Sequence, residues 1–275
     1  MKIATGNTMT PRDLPWDERC KMVKEAGFDG MEVWIGSADL NMETTDNEVR
    51  AMADAMRDAG LETASIGSSM GWEVPISSPD DAVHRRAIGI GRRQIEAAGL
   101  LGTDAILMVT GRAAPEVYQL DGLTRAISGF RELAAVAGDA GVMIGVETCP
   151  KLSKNLMTPY ECVGFLEDVD REAVGIYLDT SNVVYSGYPE HFVRALGKRI
   201  VRIHFKDTLE LEDGTRRAAY PGGGNTVDFG PVVSECRAAG YDAWAIMEYG
   251  PPPGQTHSLE SMREAASSTR RILEG

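Results

Sequence analysis

Residues 199–207 read RIVRIHFKD, and the fold turns on how that stretch is read. Val201, Ile203 and Phe205 alternate with Arg202, His204 and Lys206, the period-two pattern of a strand with two unlike faces. The apolar face predicts a cover of helices. The other face turns ionisable toward its end, where Lys206 and Asp207 lead into a loop. A strand that hides one face and ends the other in His and Lys suits a parallel barrel, whose sites are built at the carboxyl ends of the strands.

A repeated phrase surrounds it: a helical run, a stop such as Ala-Gly, then a short apolar strand ending in polar residues. The copies are AGFDGMEVW (26–34), AGLETASIG (59–67), AGLLGTDAILMV (98–109), AGVMIGVET (140–148) and AGYDAWAIMEY (239–249). Glycine after a helix is the usual left-handed cap, and the apolar run beyond it reads as a buried strand. VGIYLDTSN (174–182), GKRIVRIHFKD (197–207) and the opening KIAT (2–5) bring the strands to eight, with helices over 81–98, 123–139 and 258–273. Eight strands alternating with helices in 275 residues predict an α/β fold, a single (β/α)₈ TIM barrel with residues 1–275 as one domain. An open dinucleotide-binding sheet is disfavoured, because ATGNTMT after the first strand is no GxGxxG turn. Gly222-Gly223-Gly224 has no lysine in P-loop spacing and reads as a flexible loop; Pro251-Pro252-Pro253 reads as a short stiff turn.

The net charge of −13 opposes nucleic-acid and anionic-membrane partners. The four cysteines are scattered without a CxxC pair, and MKIATGNTMT lacks the basic start and apolar run of a signal peptide. No apolar stretch is long enough to span a bilayer. The expectation is a cytoplasmic, reduced protein. Cys149, two residues from Glu147, is assigned no role.

The parity of each later strand selects its inward residues. With Val142, Ile144 and Val146 outward, Glu147 faces in; with Ile176 and Leu178 outward, Tyr177 and Asp179 face in. His204 faces in on the seventh strand, and an inward Glu248 carries Trp244 and Ile246 with it. Glu147, Asp179, His204 and Glu248 thus end four successive strands and should converge at the barrel mouth. Three carboxylates brought together repel unless a cation neutralises them. Oxygen-rich ligation with one imidazole favours one divalent ion, Mn²⁺ foremost, with Mg²⁺, Co²⁺ or Zn²⁺ as alternatives. Such an ion beside two glutamates suits proton transfer next to a sugar carbonyl, through an enediolate and without a redox cofactor.

GVET, YLDTSN, IHFKD and IMEYG carry a resemblance to the xylose-isomerase-like TIM-barrel superfamily, over nearly the full length. The resemblance implies a metal-dependent sugar isomerase or epimerase, with Glu147, Asp179, His204 and Glu248 as metal ligands and Glu147 and Glu248 as the acid/base pair. It also implies a small sugar as partner and a homo-oligomer. A lyase or dehydratase acting on a keto-sugar or 3-keto-glycoside would begin with the same enolate, and a non-catalytic sugar- or subunit-binding barrel is the third reading. Many members carry Asp-x-x-His where this chain has Asp179-Thr-Ser-Asn182; Asn182 can donate to a substrate oxygen or brace its loop. Lys206 can hold a substrate oxygen, or form an ion pair with Asp207 or a neighbouring strand. Trp34 and Trp72, at or just after strand ends, offer aromatic faces to a sugar. Multi-zinc DNA-cleaving members need many histidines, and this chain has four.

Overall fold

A computed structural model describes residues 1–251 and 256–275. The chain runs β1 (Lys2–Gly6), α1 (Trp16–Glu25), β2 (Gly30–Ile35), α2 (Asp46–Asp58), β3 (Glu62–Ser68), α3 (Asp81–Leu101), β4 (Ala105–Met108) and α4 (Gln119–Ala140). It continues through β5 (Met143–Glu147), the short α5 (Pro150–Ser153), α6 (Pro159–Val169), β6 (Val174–Asp179), the short α7 (Thr180–Val183) and α8 (Pro189–Leu196). The last elements are β7 (Ile200–His204), β8 (Asp207–Glu210), β9 (Arg216–Ala219), α9 (Phe229–Ala239), β10 (Trp244–Met247) and α10 (Leu259–Glu274). Eight strands close a barrel in the order β1-β10-β7-β6-β5-β4-β3-β2, and every ladder between them is parallel. This is the (β/α)₈ barrel.

Side-chain alternation sorts the interior into two layers. Ile3, Val33, Ile66, Ile106, Ile144, Ile176 and Ile203 face the helices in one continuous core. Ala4, Ala64, Leu107, Val109, Tyr177, Trp244 and Ile246 pack against one another in the lumen. Burying each large aliphatic side chain contributes about 1.5–3 kcal/mol. The outer layer is therefore the main source of cohesion, and the lumen is a filled floor beneath the mouth.

Four of the five Ala-Gly stops end their helices as expected, with Gly27, Gly60, Gly141 and Gly240 at positive φ. The fifth does not. Helix α3 runs on through Ala98-Gly99 to Leu101, and Gly102 (φ 73°) takes the left-handed cap. A second difference is the antiparallel β8–β9 hairpin beyond β7, where the sequence reading had a loop. Gly214 at φ 81° turns the chain back between its strands. Beyond the hairpin, the last of the three glycines packs against Asp207: a Cβ on Gly224 would lie 2.4 Å from the Asp207 Cγ. Asp207 Oδ1 accepts from the backbone N–H of Thr208, Thr226 and Val227. The stretch expected to be a flexible loop is thus tied to a buried carboxylate. Of the proline turn, Pro252 and Pro253 lie outside the described residues.

Two bulges break the alternation. Between β2 and β3, Met31 pairs with Thr63 but Glu32 pairs with Ser65, so Ala64 is an extra residue. Between β6 and β7, Ile176 pairs with Ile200 but Tyr177 pairs with Arg202, so Val201 is extra. Ile200 therefore joins the helix-facing core where Val201 was expected. A Cβ on Gly175 would lie 2.7 Å from Val201 Cγ2 and 2.5 Å from the Arg199 carbonyl oxygen. Only glycine lets the bulged strand lie this close. Gly175→Ala should destabilise the protein by about 1–3 kcal/mol, read as a lower urea midpoint with unchanged slope.

Candidate metal-binding site

Glu147 is the last residue of β5, Asp179 the last of β6 and His204 the last of β7, while Glu248 directly follows β10. These four strands are consecutive neighbours around the barrel, so their carboxyl ends present the four side chains to one spot. One donor atom from each of Glu147, Asp179, His204 and Glu248 lies within 4.8 Å of all the others. His204 Nδ1 stands 3.5 Å from Glu147 Oε1, 3.8 Å from Asp179 Oδ2 and 3.8 Å from Glu248 Oε2. Glu147, Asp179 and His204 are buried, and Glu248 is partly exposed on the mouth side.

The electrostatics follow from burial and crowding. Burial, with Glu248 and Asp179 adding to it, pushes the Glu147 carboxyl up to about 7 against the opposing pull of His204. Burial also raises the Asp179 carboxyl, but the Lys206 ammonium and His204 outweigh it and hold it below the ordinary range. Burial disfavours a charged Lys206, yet Asp179 and Glu248 raise it above the usual lysine value. Lys206 Nζ donates to Glu248 Oε2 at 2.8 Å and lies 3.5 Å from Asp179 Oδ2. It is thus joined to the cluster: its ion pairs run to the ends of neighbouring strands, and among the described residues none runs to Asp207.

Two buried atoms test whether the donor set fits an ion. Asp179 Oδ2 and His204 Nδ1 have no hydrogen-bond partner, and they face each other 3.8 Å apart. Unpartnered buried donors or acceptors are costly unless something satisfies them. The Asp179 oxygen and the His204 nitrogen, once an arriving ion displaces its proton, converge with two further carboxylates as an oxygen-rich set with one imidazole, as a hard or borderline divalent ion requires. The residues fit.

The remaining candidates fall around this centre. Asn182 Nδ2 donates to the Thr148 carbonyl at 3.2 Å, and its backbone N–H donates to Asp179 Oδ1 at 2.8 Å; in this structure it braces its loop. Trp34 stacks beside His204, with ring centroids 6.4 Å apart and planes at 18°. Trp72 packs on the lumen cluster from the loop after β3. Cys149 is half-buried, and burial raises its thiol above the ordinary value, which suits an inert side chain.

The sequence reading passed over Glu32. It sits mid-strand in β2, 1% exposed. Its Oε1 accepts from Ser65 Oγ at 2.5 Å and from Tyr177 Oη at 2.5 Å, and its Oε2 lies 3.0 Å from His204 Nε2. Burial opposes its charge, but His204, Ser65 and Tyr177 hold it below the ordinary range. Parity turns Glu32 inward, since Met31, Val33 and Ile35 belong to the helix-facing core.

Fold and cluster together define a class: a parallel (β/α)₈ barrel whose mouth gathers three carboxylates and an imidazole around one point. The chain belongs to the xylose isomerase-like TIM barrel family, whose model matches residues 20–268. It is 26% identical over 234 residues to an L-ribulose-5-phosphate 3-epimerase of Salmonella paratyphi A, covering 82% of this chain and 79% of that one. Its structure superimposes on L-ribulose 3-epimerase with a TM-score of 0.84 and 20% identity, over 99% of this chain and 94% of the other. A D-psicose 3-epimerase solved in the presence of D-fructose gives 0.82 and 21% identity over the whole of both chains. No helix among the described residues is long and apolar enough to cross a membrane.

The raised Glu147 carboxyl has a signed consequence for stability. Between the ordinary carboxylate range and about pH 7, the folded metal-free protein holds a proton here that the unfolded chain has released. This group's contribution therefore weakens folding as pH rises through that window. In thermal unfolding of metal-free protein, Glu147→Gln should gain on the wild type as pH rises from 5 to 8. Added Mn²⁺ should raise the wild-type Tm above pH 7 and have little effect on the variant.

Proposed function

We propose that this protein is a divalent-metal-dependent sugar epimerase or isomerase acting beside the carbonyl of a ketose, with Mn²⁺ as its ion. The observation that carries this reading is the placement of two glutamates, Glu147 and Glu248, on strands separated by the two that bear Asp179 and His204. A sugar lying over the cluster would have a carboxylate toward each side of one carbon. The relatives named as 3-epimerases of L-ribulose 5-phosphate, L-ribulose and D-psicose support C3 of a ketose as the reacting centre.

Glu147, Asp179, His204 and Glu248 would hold the ion, which when bound supplies polarisation of the carbonyl and its neighbouring hydroxyl. One glutamate removes the proton from the adjacent carbon, and the other returns a proton to the opposite face. Lys206, within reach of both Glu248 and Asp179, turns to a substrate oxygen once the carboxylates have another cation. Trp34 and Trp72 line the mouth with aromatic surface against the apolar face of the sugar. Asn182 keeps the Asp179 loop in place.

Elemental analysis of purified protein should find about one divalent ion per chain, reduced in Glu248→Gln. In D₂O, a ketose substrate should return as a label-bearing epimer. Glu147→Gln and Glu248→Gln should each lower kcat by about 10²–10⁴-fold. A dehydrated product in place of the labelled epimer would overturn the epimerase reading.

A further inference from the structure

We propose that Glu32 is a positioning residue: it fixes the His204 imidazole as the Nε2–H tautomer, so that Nδ1 is the nitrogen presented to the ion. The inference rests on the metal-dependent reading above and deepens it by assigning the atom that ligates and the group that chooses it.

The geometry is specific. The two ring nitrogens of His204 face different surroundings. Nε2 lies 3.0 Å from Glu32 Oε2, and Nδ1 faces Glu147, Asp179 and Glu248 with no hydrogen-bond partner. A neutral imidazole carries one N–H and one lone pair. An acceptor-only carboxylate against Nε2 requires the N–H there and leaves the lone pair on Nδ1, aimed at the cluster.

Glu32 is itself held rigidly. Its Oε1 accepts from Ser65 Oγ and Tyr177 Oη, which leaves Oε2 for the imidazole. Both supports depend on backbone features. The bulge at Ala64 brings Ser65 into register with Glu32. Tyr177 has space in the lumen because Gly145 lacks a side chain: a Cβ there would lie 2.8 Å from the tyrosine ring. The ring of Tyr177 also meets His204 edge-on, with centroids 4.7 Å apart, and Trp34 flanks it at 6.4 Å. The imidazole is therefore fixed in orientation as well as in tautomer. Glu32 stands on the far side of the ring from the donor cluster and is outside the set of four. It acts through His204, as carboxylates behind metal-bound histidines do.

The test pairs a binding measurement with a spectroscopic one. Mn²⁺ is titrated calorimetrically into metal-free wild type and Glu32→Gln. Zn²⁺-loaded wild type carrying ¹⁵N-histidine is examined by NMR, where only four histidines contribute. The expected result is 10–100-fold weaker Mn²⁺ binding in the variant, and a wild-type His204 whose Nε2 is protonated and whose Nδ1 is bound to metal. Equal Mn²⁺ affinity in a folded Glu32→Gln, or a metal-bound Nε2 in the wild type, would overturn the assignment and leave the epimerase reading standing. If Glu32→Gln does not fold, the wild-type tautomer decides alone. A wild type that takes up neither ion would overturn both readings.

Discussion

The constraint on which this barrel depends is the gathering of anionic side chains where water is scarce. Glu32, Glu147 and Asp179 are buried together, with Glu248 at their rim. Two like charges 4 Å apart repel by about 4 kcal/mol at an effective dielectric near 20, so the group cannot persist uncompensated. The neighbours are arranged accordingly. Lys206 reaches two of the carboxylates, His204 stands among all four, and Ser65 and Tyr177 hydroxyls bond the deepest one. A parallel barrel is well suited to such a burden, because each strand end is held by a helix-covered ladder and the side chains have little freedom to move apart.

The centre is therefore a property of the closed sheet. No two of its four donors share a strand, and their distances are set by ladder register. The bulges matter for the same reason. Each adds one residue to its strand, so that the residues after it meet their neighbours one step out of simple count. At β3 the addition brings Ser65 opposite Glu32; at β7 it brings Arg202 opposite Tyr177. A flat count of alternate residues cannot foresee either shift, because the extra residues, Ala64 and Val201, are themselves apolar and fit a buried strand on either face.

This explains which features were legible in the sequence. The barrel could be read from the recurrence of glycine-stopped helices before apolar strands, since those caps and runs are local. The convergence of Glu147, Asp179, His204 and Glu248 could be read because each ends its strand, where parity has few residues over which to drift. Val201 was misassigned because its strand is bulged. Gly99 was taken for a helix stop although the left-handed turn comes at Gly102, a choice that both glycines permit. Glu32 was passed over because GMEVWI has the same alternation as any half-polar strand, and only the meeting of β2 with β3, β6 and β7 residues gives its carboxylate a purpose. The β8–β9 hairpin needed pairing partners that charged residues such as Arg216 and Arg217 do not announce.

Arg202 gives the lumen its other end. From β7 its Nε donates to the Ala64 carbonyl of β3 at 2.9 Å, and its guanidinium pairs with Asp104 just before β4. It spans the barrel between strands four places apart in the ring, below the packed side chains of the lumen cluster. Arg202 thus ties strands across the barrel at the end away from the donor cluster. On the epimerase reading, a sugar and its epimer would occupy the same place over the four donors at the strand ends and would compete for it. As with any catalyst, net conversion would follow the supply and removal of the two sugars outside, and accumulation of either would slow turnover of the other.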